Sequence, residues 1–228
     1  MTIINNDNLS PYQAILNSQL STYEAILDRI QGIAPEAHIA GGAVRDALLG
    51  KAIKDIDIFM GHEGKDEVAA MLRSEFKYVK VGEWRQYEMF SDPNVDCVGK
   101  FEGADQDIPV CVIGLKEPLS VRDNIGRFDF GICMCAWTGC DPILTHAFQH
   151  DVEDHTFTLH RADCAAQFAY SMARYRKLSA NRYAGWSLTV PTEFEHLVKD
   201  HAFRRHWYFD VDGSILPRMG NVLRPKDR

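Results

Sequence analysis

Asp55 and Asp57 stand one residue apart in the run Asp55-Ile56-Asp57-Ile58-Phe59-Met60. Side chains alternate along a strand, so both carboxylates share one face, and Ile56, Ile58 and Met60 take the other. Two carboxylates roughly 7 Å apart on a strand face suit one divalent cation or a bridged pair. About a dozen residues upstream lies Gly41-Gly42. Glycine backbone can approach a phosphate closely, and a helix starting there aims its N–H groups at the turn. A phosphate cradle beside ligands for a hard cation is the equipment of phosphoryl or nucleotidyl transfer.

These residues need a frame. Ser10, Pro11 and Gln13 open a helix over residues 10–32, with apolar side chains at helical spacing from Ile15 to Ile30. Pro35 precedes a short strand ending at Gly41, and a helix over 43–49 stops at Gly50. The Asp55 strand follows, then an amphipathic helix over 65–76. Strands are predicted at 78–81, 86–90, 95–101 and 109–115, a short helix at 118–125, an apolar strand at 128–137 and a strand at 155–160. Asp141-Pro142 opens a polar stretch between the last two. Helices are predicted at 162–182 and from Thr192 to about 208, and 211–228 reads as a Gly/Pro-rich loose tail. The pattern is α/β (α+β). It places a head domain in residues 1–160 and a helical appendage with tail in 161–228.

At 228 residues the chain can bury a sizeable core. No apolar run approaches the ~18 residues of a membrane span. The N-terminus is polar and the six cysteines form no framework, so a cytoplasmic setting is expected. A net charge of −7 argues against broad binding to nucleic-acid backbone, though not against a local basic groove.

The run Gly41-Gly42-Ala43-Val44-Arg45-Asp46-Ala47-Leu48-Leu49-Gly50, followed by Asp55-Ile56-Asp57, resembles the head-domain signature of the polymerase-β nucleotidyltransferase superfamily. It is most similar to the poly(A) polymerase and tRNA CCA-adding branch. The segment from Arg127-Phe128-Asp129 to Trp137 is similar to that branch's Arg-Arg-Asp-Phe-Thr-Ile-Asn-Ala-Leu segment. Residues 147–160 resemble its Asp-Leu-x-x-Lys…Arg-x-His stretch more loosely. Small nucleotidyltransferases predicted from bacteriophage genomes also look alike, which would put this chain in a host cytoplasm.

The resemblance implies roles. Asp55 and Asp57 would be catalytic and hold Mg²⁺ (or Mn²⁺). Gly41 and Gly42 would cradle the triphosphate of an NTP such as ATP. Arg45 and Asp46 would support the nucleotide, and Arg127 and Asp129 would contact its phosphates or ribose. The chain departs from the family in three places. The superfamily usually adds a third carboxylate from a neighbouring strand, where this chain has Cys111; Asp107 and Asp129 are the other candidates. Arg-Phe-Asp replaces Arg-Arg-Asp, and Gly131 replaces a threonine.

Cys133, Cys135 and Cys140 precede His146 and His150, but the spacing is not that of a zinc site, and Cys133 and Cys135 read as small apolar residues sharing a strand face. Arg174, Arg176, Lys177 and Arg182, interleaved with Tyr170, Tyr175 and Tyr183, form either a solvated helix face or a groove for nucleotide, tRNA or another RNA 3′ end. Two functions compete. One is metal-dependent transfer of an NMP to an acceptor hydroxyl on RNA, protein or a small molecule, with release of pyrophosphate. The other is a catalytically impaired module that binds nucleotide, tRNA or a protein partner.

Overall fold

Leu16, Leu20, Tyr23, Ile26, Leu27 and Ile30 recur at three- and four-residue spacing and form the buried stripe of helix α1 (Ser10–Gln31). The structure is a computed structural model that describes residues 10–85, 92–103 and 107–197 and two later strands, Trp207–Phe209 and Ile215–Pro217. After α1 come β1 (His38–Ala40), α2 (Gly42–Leu48), β2 (Ile56–Gly61), α3 (Lys65–Phe76), β3 (Val79–Arg85), β4 (Val95–Glu102) and β5 (Val110–Leu115). Then follow α4 (Val121–Ile125), β6 (Cys135–Trp137), β7 (Pro142–Leu144), α5 (His146–Asp154), β8 (Thr156–Thr158), α6 (Ala165–Asn181) and β9 (Ser187–Thr189).

Seven strands form one sheet in the order β3-β4-β5-β2-β1-β6-β7. Its pairings are antiparallel except β2 with β5. This is the expected α/β (α+β) head, and its sheet is mixed and mostly antiparallel. Alternation gives the sheet two faces. Ile56, Ile58, Met60, Val110 and Val112 point into the main core with the stripe of α1 and Phe168 and Met172 of α6. Ala40, Phe59, Ile113, Leu115 and Ala136 point the other way and pack with Ile125 of α4.

The helix over 65–76 and the strands β4 and β5 lie where the pattern places them. Residues 86–91, which hold the expected 86–90 strand, lie outside the described residues. Three expectations are corrected. Residues 128–137 are not one strand. Phe130 bridges to Leu159, a 3₁₀ turn occupies Gly131–Cys133, and β6 follows. The cause is Asp151 of α5, which is fully buried and accepts bonds from the Ile132 and Thr158 amides at 2.6 and 3.0 Å. Gly131 permits this approach, because a Cβ there would lie 2.8 Å from Asp151 Oδ2 and 2.9 Å from the Ala147 carbonyl.

The polar stretch after Pro142 holds β7 and α5 rather than a loop. Thr145 caps α5 by accepting from the Phe148 amide at 3.1 Å. The helix expected from Thr192 to about 208 does not reach its end. Thr192–Phe194 is a 3₁₀ turn, and Trp207–Phe209 is strand β10, paired antiparallel with β11 (Ile215–Pro217) inside the expected tail. Three consecutive aromatics favour a strand over a helix.

Candidate active site

Where α2 leaves the end of β1, Gly41 adopts φ 74° and ψ −124°. L-residues avoid that region, and a Cβ there would press on the Phe128 ring at 3.2 Å. Gly42 begins α2. Both glycines line a cavity of about 650 Å³ whose walls come from the second sheet face, α2, the segment around Arg127 and helix α6. Asp55, just before β2, and Asp57, within it, line the same cavity, as do Arg45, Asp46, Arg127 and Asp129. Of the basic cluster on and after α6, Arg174, Lys177 and Arg182 line it, and Arg176 does not.

Asp57 is the electrostatic centre of the site. Burial, and then the charge of Asp55, push its carboxyl up to about 7, against the pull of Arg174 and Arg45. Cys111 is its cross-strand neighbour in the parallel β2/β5 register, on the same face of the sheet. Burial and the two aspartates push the Cys111 thiol up to about 12, so it stays protonated and is no ligand for a hard cation. Among the described residues no group of three or more His, Cys, Asp or Glu side chains is arranged to hold a metal ion. Asp55 and Asp57 nonetheless fit Mg²⁺: their mutual repulsion is what a cation relieves, and Mg²⁺ commonly takes one or two carboxylates with phosphate oxygens and water.

The arginines of the cavity are held by carboxylates. Arg45 is 3% exposed. It donates to Asp46 Oδ1 and to the Tyr183 hydroxyl, both at 2.8 Å, and lies 5.0 Å from the Tyr183 ring centre. Asp46 also accepts from the Tyr183 hydroxyl at 2.5 Å and from Arg182. Arg127 pairs with Asp92, and Arg161 reaches the same carboxylate at 3.0 Å. Against the upward push of burial, these two guanidiniums hold the Asp92 carboxyl below its usual range. Arg174 donates to Asp129 Oδ1 at 2.6 Å, and Asp129 Oδ2 is buried without a hydrogen bond.

Sequence reading missed Asp92, Arg161 and Cys133 as cavity residues and Tyr183 as the partner of Arg45 and Asp46. Arg161 adjoins the quoted 147–160 segment, and that adjacency was the one available signal. Cys133 enters the cavity because the 3₁₀ turn swings it there, 3.3 Å from Arg45 Nη1.

Solved structures share this fold. The Thermotoga maritima CCA-adding enzyme complexed with tRNA superposes with a TM-score of 0.57 at 15% identity, over 88% of this chain and 46% of its own. A CCA-adding enzyme complexed with CTP gives 0.56 at 15% identity, over 89% and 47%. A tRNA nucleotidyltransferase complexed with a primer tRNA and an incoming ATP analogue gives 0.51 at 20% identity, over 78% and 49%. The chain thus spans about half the length of these structures. No curated protein gives a significant sequence match. Residues 13–155 match the model of a family described as Gabija anti-defense 2 family protein. That match covers well over half of the chain, and the protein belongs to the Gabija anti-defense 2 (Gad2) family.

Proposed function

We propose that the protein is a metal-dependent nucleotidyltransferase that moves an NMP from an NTP to an acceptor hydroxyl and releases pyrophosphate. One observation carries this reading: Gly41-Gly42, the Asp55/Asp57 pair and the Arg127–Asp129 segment line a single cavity in a nucleotidyltransferase-like fold. Bound Mg²⁺ would neutralise the triphosphate and activate the attacking hydroxyl. Asp55 and Asp57 would hold it. Gly41 and Gly42 let backbone approach the phosphates. Arg127, Arg174 and Lys177 supply positive charge, and the free acceptor Oδ2 of Asp129 suits a ribose hydroxyl. Arg45 and Asp46 would support the nucleotide through the wall they build.

Residues 1–160 act as the transferase head, and 161–228 bring α6 against it. An RNA 3′ end such as that of tRNA, a protein side chain and a small molecule each offer a hydroxyl of the required kind. Modification of such an acceptor in a host cytoplasm is how a Gabija anti-defense protein of this fold would act. No helix among the described residues is long and apolar enough to cross a membrane.

Cys111 favours a second reading, a fold that keeps nucleotide, tRNA or partner binding without turnover, because it puts a neutral thiol beside Asp57. Incubation with each α-³²P-labelled NTP, Mg²⁺ and cell extract separates the two. Label transfer that Asp55→Ala and Asp57→Ala abolish supports the enzyme. No transfer from any NTP, with melting still raised by NTP and Mg²⁺, supports the binding module.

A further inference from the structure

Asp92 enters the cavity from a turn just before β4, and that turn is tied to the end of β5. The Val95 amide donates to the Asp92 carbonyl at 2.9 Å, and the Asn94 amide donates to Asp92 Oδ1 at 2.9 Å. The Asn94 side chain clasps the backbone of Glu117, donating to its carbonyl at 2.9 Å and accepting from its amide at 3.1 Å. The Lys116 amide donates to the Asn94 carbonyl at 2.8 Å. The Asp92 carboxylate is thus set in place by a frame that involves neither of the arginines it meets.

On that frame the carboxylate takes up one edge of a guanidinium. Arg127 donates through Nε to Asp92 Oδ2 at 2.5 Å and through Nη2 to Oδ1. Arg127 lines the cavity, and among the described residues its Nη1 has no hydrogen-bond partner. Arg161 is used differently. Its Nε and Nη2 donate to Asp163 at 3.0 and 2.6 Å. Its Nη1 donates to Asp92 Oδ2 at 3.0 Å and to the Arg127 carbonyl at 3.2 Å. Every nitrogen of the Arg161 guanidinium is engaged, so Arg161 braces. One nitrogen of Arg127 is open, so Arg127 can grip.

Charge alone disfavours a carboxylate here, because Asp92 repels an anionic ligand. Positioning works in the other direction. A loose arginine gives up side-chain freedom when it binds, whereas a fork locked by a carboxylate has already given it up on folding. We propose, resting on the transferase reading above, that Asp92 is a positioning residue for the nucleotide: braced by Arg161, it locks the Arg127 fork so that Nη1 meets a phosphate oxygen of the NTP.

Isothermal titration of the full chain with ATP, GTP, CTP and UTP in Mg²⁺ tests this. Asp92→Asn removes a negative charge, yet it should weaken the best-bound NTP about tenfold. In the Arg127→Ala background the same change should weaken it no further, because no fork remains to be held. A residue that only supports the fold would lower affinity alike in both backgrounds. Asn94→Ala leaves every charge in place and loosens the turn. It should weaken binding about threefold, and it carries the test if Asp92→Asn does not fold. Unchanged or tighter NTP binding in Asp92→Asn, or in Asn94→Ala where that variant stands in, overturns the positioning role and leaves the transferase reading standing. An equal loss in both backgrounds overturns the positioning role as well. No NTP bound by the parent protein overturns the transferase reading, and the positioning role with it.

Discussion

Cys111 stands directly opposite Asp57, one strand over in parallel register, so its thiol shares a sheet face with the Asp57 carboxylate. A neutral thiol here stands beside one half-buried carboxylate. It adds no charge that would draw in a second cation.

Replacing Cys111 by Asp restores a carboxylate on the same face. Without divalent cation, three neighbouring carboxylates repel, and Cys111→Asp should melt several degrees below the parent protein. Millimolar Mg²⁺ should recover most of that loss and stabilise the variant more than it does the parent. Thermal melts with and without Mg²⁺ decide this; equal Mg²⁺ shifts in both proteins would mean that position 111 has no share in cation binding.

Asp57 gives a pH signature. Its folded carboxyl sits at about 7, above the ordinary value of 3.8. The folded state therefore prefers the protonated form. The stability this group contributes is complete below about pH 4 and is lost as pH rises through 7. Asp57→Asn is neutral throughout, so in Mg²⁺-free buffer it should melt above the parent at pH 8 and match it near pH 4. A lower melting temperature for the variant at pH 8 would falsify the assignment.

Tyr183→Phe removes one hydroxyl and keeps the ring against Phe157 and Trp186. Buried Asp46 then loses a donor and Arg45 an acceptor. The expected loss is about 1–3 kcal/mol, read as a lower urea midpoint at unchanged slope. An unchanged midpoint would show that Arg182 and Arg45 satisfy Asp46 without the hydroxyl.

What was legible in the sequence is what rests on local rules. The helix over 65–76 has the same bounds as α3, because amphipathic spacing and the flanking residues determine it without help. Gly41-Gly42 and Asp55-x-Asp57 declared themselves by residue type and alternation. The turn at Gly131–Cys133 was hidden, because its cause is a carboxylate 19 residues later that captures the Ile132 amide. An apolar run such as 128–137 carries no trace of that bond. The pairing of Asp46 with Tyr183 and Arg182 was hidden for the same reason, across 137 and 136 residues. The basic cluster looked like one feature in the chain. Helical geometry splits it, with Arg174 and Lys177 toward the cavity and Arg176 away.

The bond from Arg45 to the Tyr183 hydroxyl joins residues 138 positions apart. Contacts of such separation form late in folding. On a ribosome adding about 5–20 residues per second, α2 waits on the order of ten seconds for Tyr183 to be made. Until then the Arg45–Asp46 pair lacks the wall that buries it. A nascent chain halted in the middle of α6 holds both aspartates and both glycines yet has no finished cavity, so any ligand of that cavity has to wait until Tyr183 is in place.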